Sequence, residues 1–150
     1  MPNKRKPAKA RSLQRGCQCA AFPFQERDGE THVLLVTSRE TKRWVLPKGW
    51  TEKPGRGSEQ AAQEAFEEAG IIGRIGTASI GAYTYPKRLD NGVTVTCDVE
   101  VFPLAVDRLL EDWPEKSQRE RRWFTLSEAA MAVEEGGLVT LMLQLSAPSP

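Results

Sequence analysis

The chain has 150 residues, of which 39% are hydrophobic and 27% charged, the proportions of an ordinary globular protein and far from those of a disordered or collagenous one. A length of this order suits one domain with one core, and no apolar run approaches the roughly 20 residues that span a bilayer. The formal net charge of +1 hides an asymmetry: Lys4, Arg5, Lys6, Lys9, Arg11 and Arg15 stand in a segment without acidic residues, and taking these six from the 21 Lys and Arg leaves 15 against 20 Asp and Glu, near −5 for the rest.

Residues 1–15 lack the apolar stretch of a secretory signal and read as a basic, disordered arm; 16–146 read as the domain and 147–150 as a flexible tail. A basic arm can touch a polyanion, but nothing further along the chain supports nucleic-acid recognition. Cys17, Cys19 and Cys97 are odd in number and wrongly spaced for a zinc site, and His32 is the only histidine available to join them. They read as reduced, buried thiols, which places the chain in the cytoplasm.

In chain order, Gly16–Phe24 and His32–Thr37 are β-prone and apolar, with Asp28-Gly29 between them as a hairpin turn. Trp44–Leu46 makes a short strand ending at Pro47, and Lys48–Gly57 follows as a glycine-punctuated loop. A helix over 58–69 comes next, with Ser58 as its cap and Gly70 as the left-handed residue that closes it. Arg74–Tyr85 and Val93–Val106 read as strands joined around Asp90-Asn91-Gly92, and Arg122–Thr125 as another. A helix over Ser127–Glu135, stopped at Gly136-Gly137, and a short one near Leu138–Leu145 finish the chain. Strands in the middle with few, unevenly placed helices give an α+β class with a mixed sheet packed by helices.

On the first helix Ala62, Ala65, Phe66 and Ala69 recur at the spacing of a buried stripe. Glu64, Glu67 and Glu68 stand at i, i+3 and i+4 and are expected together on the opposite, solvent side. Exposed, such a cluster costs only about a few tenths of a kcal/mol per pair and can be a plain acidic surface. With phosphates within reach it is a platform for a hard cation such as Mg²⁺, which takes oxygen ligands, keeps several waters and bridges carboxylates to phosphates.

The run from Leu46-Pro47-Lys48-Gly49-Trp50 through Gln63-Glu64-Ala65-Phe66-Glu67-Glu68-Ala69-Gly70-Ile71 resembles the Nudix box of the Nudix hydrolases. Gly49, Glu64, Glu67, Glu68, Gly70 and Ile71 stand in its register; Gly55 and Gln63 stand where the family has Glu and Arg, and Ala65 where it has a larger aliphatic residue. The likeness covers Gly16 to Leu145 and is closest to the diphosphoinositol polyphosphate phosphohydrolase-like branch, through Val33–Ser38, Arg43–Gly49, Glu111–Glu115 and Arg121–Phe124.

That resemblance implies a Nudix α/β/α sandwich and a metal-dependent pyrophosphohydrolase acting on a small polyphosphate, either an inositol pyrophosphate or a diadenosine polyphosphate. By the same analogy Glu64, Glu67 and Glu68 are the catalytic and metal-binding residues, helped by the main-chain carbonyl of Lys48 beside Gly49. The metal is Mg²⁺, with Mn²⁺ as a substitute. Since the body is acidic, a polyanionic substrate needs local cations, for which Arg39, Lys42, Arg43, Lys48, Lys87, Arg88, Arg119 and Arg121 are the candidates. Trp50, following Gly49, is the candidate to stack on a base. Gly55 and Gln63 keep open a non-catalytic module that senses a nucleotide or binds a protein.

Overall fold

The computed structural model describes residues 15–51 and 55–146; of the arm expected over 1–15, residues 1–14 lie outside them and Arg15 begins the first strand, and the tail over 147–150 lies outside them too. Strands β1 (Arg15–Arg27) and β2 (Glu30–Thr37) form an antiparallel hairpin, with Arg27 opposite Glu30 and Phe24 opposite Val33. Asp28 and Gly29 both have positive φ, 53° and 77°, the backbone that a two-residue hairpin turn needs to match strand twist. β3 (Trp44–Val45) pairs with β2, and the expected loop after Pro47 instead begins with a short strand, β4 (Lys48–Trp50), which pairs with β1.

The longest strand, β7 (Thr94–Leu109), runs parallel to β1 on one edge. Its other edge carries β5 (Ile71–Ile75) and β6 (Gly81–Arg88), both antiparallel, where a single strand over Arg74–Tyr85 was expected. The interruption falls opposite Pro103, which has no N–H to continue the ladder; its carbonyl accepts from Gly76 N–H, and pairing resumes where Ile80 N–H reaches Val101. With β8 (Arg121–Thr125) on β2, the result is one mixed 8-stranded sheet with the central order β3-β2-β1-β7-β5.

Alternate residues of each strand face opposite layers. On one side Cys19, Ala21, Leu34, Val36, Phe102 and Leu104 pack on helix α1 (Gly57–Ala69). On the other, Ala20, Phe22, Val33, Leu35, Val99 and Val101 pack on α2 (Leu126–Ala132) and α3 (Gly136–Ser146). The arrangement is an α/β/α sandwich, as the sequence suggested.

Helix α1 begins one residue before the expected start and has Arg56 rather than Ser58 at its cap position, without a side-chain cap bond. It ends at Gly70, φ 67°, whose N–H returns to Phe66. Helix α2 is opened by a Thr125/Glu128 capping box and ends at Ala132, because Val133 is extended. Gly136-Gly137, expected to stop a helix, instead opens α3; a Cβ on Gly137 would lie 2.7 Å from Tyr83 Cβ, so the glycine lets α3 sit directly on β6.

Candidate active site

The buried face of α1 is Ala61, Ala65, Glu68 and Ala69, rotated from the expected stripe so that Ala62 and Phe66 are only half-buried. Glu68 therefore points inward, not to solvent, and is 6% exposed. The rotation is possible because this end of α1 meets β4, a strand edge that offers backbone polar groups as well as apolar side chains. Lys48 N–H donates to Glu68 Oε1 at 3.3 Å. Glu64 is half-buried against Gly49, where any Cβ would collide with its carboxylate, so only glycine allows this approach.

At about 100° per residue, positions four apart come within about 40° of each other around the helix, whereas Glu67 stands about 100° from Glu68. Accordingly Glu64 and Glu68 lie near enough for each to act on the ionisation of the other, while Glu67 runs along the outer surface and accepts from Gln63 Nε2 at 2.6 Å. The three carboxylates thus do not converge as one cluster, and among the described residues no three His, Cys, Asp or Glu side chains close on a metal position. Gln63, standing where the Nudix pattern has Arg, braces Glu67 with a neutral amide.

Burial pushes the Glu68 carboxyl up to about 8 and Glu64 repels it further, against the pull of Arg119 and Lys48. Burial likewise raises Glu64, with Glu67 and Glu115 adding repulsion. Two neighbouring carboxyl groups that repel each other when both are ionised favour a proton on one of them, and a divalent cation would relieve the same repulsion. The donor set is oxygen only, and Mg²⁺ needs no more than one or two carboxylates when waters and substrate phosphates complete its shell. The site fits such an ion. The native protein keeps on Glu68 a proton that the unfolded chain loses near 4.5, so stability falls as pH rises from about 5 to about 8. We expect the melting temperature in chelator to drop across that window and Mg²⁺ to recover more of it at pH 8 than at pH 5, as thermal scans would show.

Around the pair, Arg119 is 8% exposed: its Nε donates to Glu115 Oε1 at 2.7 Å, one Nη faces Glu68 Oε2 at 3.6 Å, and the other donates to the Thr37 carbonyl at 3.1 Å. Lys48 is half-buried with its ammonium 5.0 Å from the Tyr85 ring centre, and desolvation lowers its pKa against the favourable charges of Glu135 and Glu68. Lys87 is close enough to Lys48 to oppose its charge.

The other candidates lie elsewhere. Arg121 donates to the carbonyls of Ala69 and Leu110, both at 2.7 Å, and stacks 3.9 Å from Trp113, so it ties down the end of α1 rather than reaching into the cleft. Arg43 pairs with Glu134 at the surface, Arg39 reaches Gln118, and Lys42, φ 58°, is exposed in the same connection between β2 and β3. Arg88 is exposed at the end of β6. Trp50 is 41% exposed at the end of β4, its ring packed over Gly16. Cys17 is exposed, contrary to the buried reading, whereas Cys19 and Cys97 are buried.

Sequence reasoning assigned no role to Glu115 or Thr37. The i, i+4 pairing of Glu115 with Arg119, around the short 3₁₀ turn Lys116–Gln118, was the available signal for the first. It did not single out Trp113, whose indole N–H donates to the Glu68 carbonyl at 3.0 Å, and whose ring Arg121 covers.

No family model matches the chain. It is, however, 30% identical over 139 residues to Nudix hydrolase 17, mitochondrial, of Arabidopsis thaliana, an alignment covering 87% of this chain and 74% of that protein. The chain belongs to the Nudix hydrolase family. Nudix hydrolase 21, chloroplastic, of Arabidopsis thaliana is 35% identical over 113 residues, 74% of this chain and 55% of that protein. Diphosphoinositol polyphosphate phosphohydrolase 2 of Rattus norvegicus is 28% identical over 136 residues, 89% and 70%. This Nudix chain spans about half the length of the first curated relatives it matches, at 55%, 49% and 55%. A solved C. elegans Ap4A hydrolase binary complex has the same fold, with a TM-score of 0.66 at 18% identity over 87% of this chain and 95% of that one.

Proposed function

We propose that this Nudix chain is a divalent-metal-dependent hydrolase that cleaves phosphoanhydride bonds in inositol pyrophosphates or diadenosine polyphosphates. The observation that carries the proposal is the Glu64–Glu68 pair, held against the backbone of Gly49 and Lys48 in the box the family shares. The relatives point the same way, since curated matches include diphosphoinositol polyphosphate phosphohydrolases and solved neighbours include an Ap4A hydrolase. Among the described residues no helix is long and apolar enough to cross a membrane. A cytoplasmic setting is part of this reading, although some relatives are named for the chloroplast or mitochondrion.

In this mechanism Glu64 and Glu68 would hold the cation, Mg²⁺ or Mn²⁺, with the Lys48 carbonyl as a further ligand. When bound, the ion supplies neutralisation of phosphate oxygens and an acidified water. Glu67, outside the pair and engaged by Gln63, is by the family analogy a further ligand or the acceptor of the attacking water's proton. Arg119 fixes the Glu68 carboxylate and neutralises part of its charge. Lys48 and Lys87 offer donors to the substrate phosphates, and Arg39, Lys42, Arg43 and Arg88 can draw in the polyanion from the rim.

Phosphate release with Mg²⁺ from an inositol pyrophosphate, diadenosine tetraphosphate and diadenosine pentaphosphate tests the proposal, with Glu68→Gln as control. Turnover in the wild type that the control lacks is the expected outcome; equal turnover in the two would remove the site assignment. Gly49→Ala is expected to lower kcat about a hundredfold, since a displaced Glu64 misplaces the reacting groups by the ångström or so that such losses require. Its melting temperature should stay close to that of the wild type, because Gly49 has no positive φ to lose. A kcat that survives the substitution would show that the close approach of Glu64 to Gly49 is dispensable.

A second reading, a non-catalytic ligand-sensing module, is favoured by one observation: the Arg of the box is replaced by Gln63, which engages Glu67. Binding of these ligands without turnover would support it.

A further inference from the structure

Helix α1 carries Glu67 and Glu68 in its last turn, which closes at Ala69. The end of a helix is prone to fray, because its final four carbonyls have no partner within the helix. Here all four are taken. Phe66 accepts from Gly70 N–H at 3.0 Å, Glu67 from Glu115 N–H at 3.0 Å, Glu68 from the Trp113 indole N–H at 3.0 Å and Ala69 from Arg121 Nη1 at 2.7 Å. Three of these donors come from one stretch, residues 113–121, and Leu110 N–H adds a bond to the Gly70 carbonyl at 2.8 Å. The approach is close enough to require Gly70, where a Cβ would lie 2.9 Å from the Trp113 ring and from Arg121 Nη1.

The same stretch reaches the Glu68 side chain. Glu115, whose N–H holds the Glu67 carbonyl, accepts from Arg119 Nε at 2.7 Å, and Arg119 faces Glu68 Oε2 at 3.6 Å. One segment therefore sets both the backbone of the last turn and the carboxylate that the turn presents. Glu64, one turn earlier, takes its place from Gly49 instead. Since different parts of the chain locate the two carboxylates, their spacing depends on the cap: a last turn that loosens displaces Glu68 and leaves Glu64 where it is. A cap alone would stabilise the fold. What exceeds that role is the continuation of the bonds through Glu115 and Arg119 onto the carboxylate itself.

We propose that Trp113 and Glu115 are positioning residues for the reaction, locking the last turn of α1 and the Arg119 guanidinium so that Glu68 keeps its place relative to Glu64. This rests on the hydrolase reading above and deepens it. The test measures kcat and KM for diadenosine tetraphosphate with Mg²⁺, Mn²⁺ affinity by electron paramagnetic resonance, and melting temperature, in the wild type, Trp113→Phe, Glu115→Ala and Leu141→Ala. Trp113→Phe keeps a ring for Arg121 to stack on and loses the donor to the Glu68 carbonyl, whereas Glu115→Ala keeps the N–H on Glu67 and loses the acceptor for Arg119. Leu141, buried in the core on the other side of the sheet, provides a loss of stability remote from the site. Trp113→Phe and Glu115→Ala are each expected to lower kcat about tenfold, part of the about hundredfold that a full ångström of displacement costs, with KM unchanged, and to weaken Mn²⁺ binding. Leu141→Ala is expected to lower the melting temperature comparably while keeping wild-type kcat and Mn²⁺ affinity in the folded protein. Turnover and Mn²⁺ affinity unchanged in both site variants, or reduced to the same extent in Leu141→Ala, overturn the assignment and leave a cap that only stabilises. Should the wild type not cleave the dinucleotide, the hydrolase reading fails by itself and Mn²⁺ affinity decides: weaker binding in both site variants upholds the positioning role, while equal binding, or none even in the wild type, overturns it.

Discussion

Replacing Glu64 by Gln is expected to lower turnover about a thousandfold while making the metal-free protein more heat-stable at pH 8. The two effects share one cause. Glu64 and Glu68 are neighbouring carboxyls, both raised by burial, so above neutral pH ionising them sets like charges against each other in a partly dry site. An amide at position 64 can donate to Glu68 and removes that repulsion, which stabilises the fold. It also removes one of two anionic ligands, so the cation that must neutralise the phosphates is held poorly. Kinetics with Mg²⁺ and thermal scans in chelator check both halves; a variant that loses activity and stability together would point to a structural role for Glu64.

Arg119→Met should lower the melting temperature by about 10 °C. The guanidinium is nearly buried and serves Glu68, Glu115 and the Thr37 carbonyl at once. Truncating one partner of a buried ionic network leaves the others uncompensated and costs about 3–5 kcal/mol, and each kcal/mol is worth about 2–4 °C in a chain of this size. Arg119→Lys should recover only part of the loss, because an ammonium cannot reproduce forked contacts to three acceptors. A change of only a degree or two, measured by calorimetry, would mean that the network is solvated and weak.

Much of this fold was legible because local rules agreed with the global one. Asp28-Gly29 dictated the first hairpin and its register, the alternation along β1 and β2 dictated two core faces, and Gly70 dictated where α1 ends. The i, i+4 spacing put Glu64 and Glu68 on one side of α1, but not, as expected, together with Glu67 and facing solvent. The inward turn of Glu68 was hidden, because a pattern of alanines defines a stripe only loosely and β4, which receives the carboxylate, is three residues in a glycine-rich stretch. The roles of Arg119 and Arg121 were equally hidden: both are basic residues two positions apart, just before and at the start of β8, yet one faces the carboxylates and the other the end of α1. The start of α3 was hidden because Gly136-Gly137 reads as a helix stop, when the close approach of α3 to Tyr83 is what requires Gly137.

The central claim, that Glu64 and Glu68 together hold a divalent cation, is tested most directly by titrating Mn²⁺ into the protein at about pH 8 and following loss of the free-ion electron paramagnetic resonance signal, in the wild type and in Glu64→Gln. The account predicts Mn²⁺ binding by the wild type, displaced by Mg²⁺, and much weaker binding by the variant. Wild-type protein that binds no Mn²⁺, or a variant that binds it equally well, would contradict it.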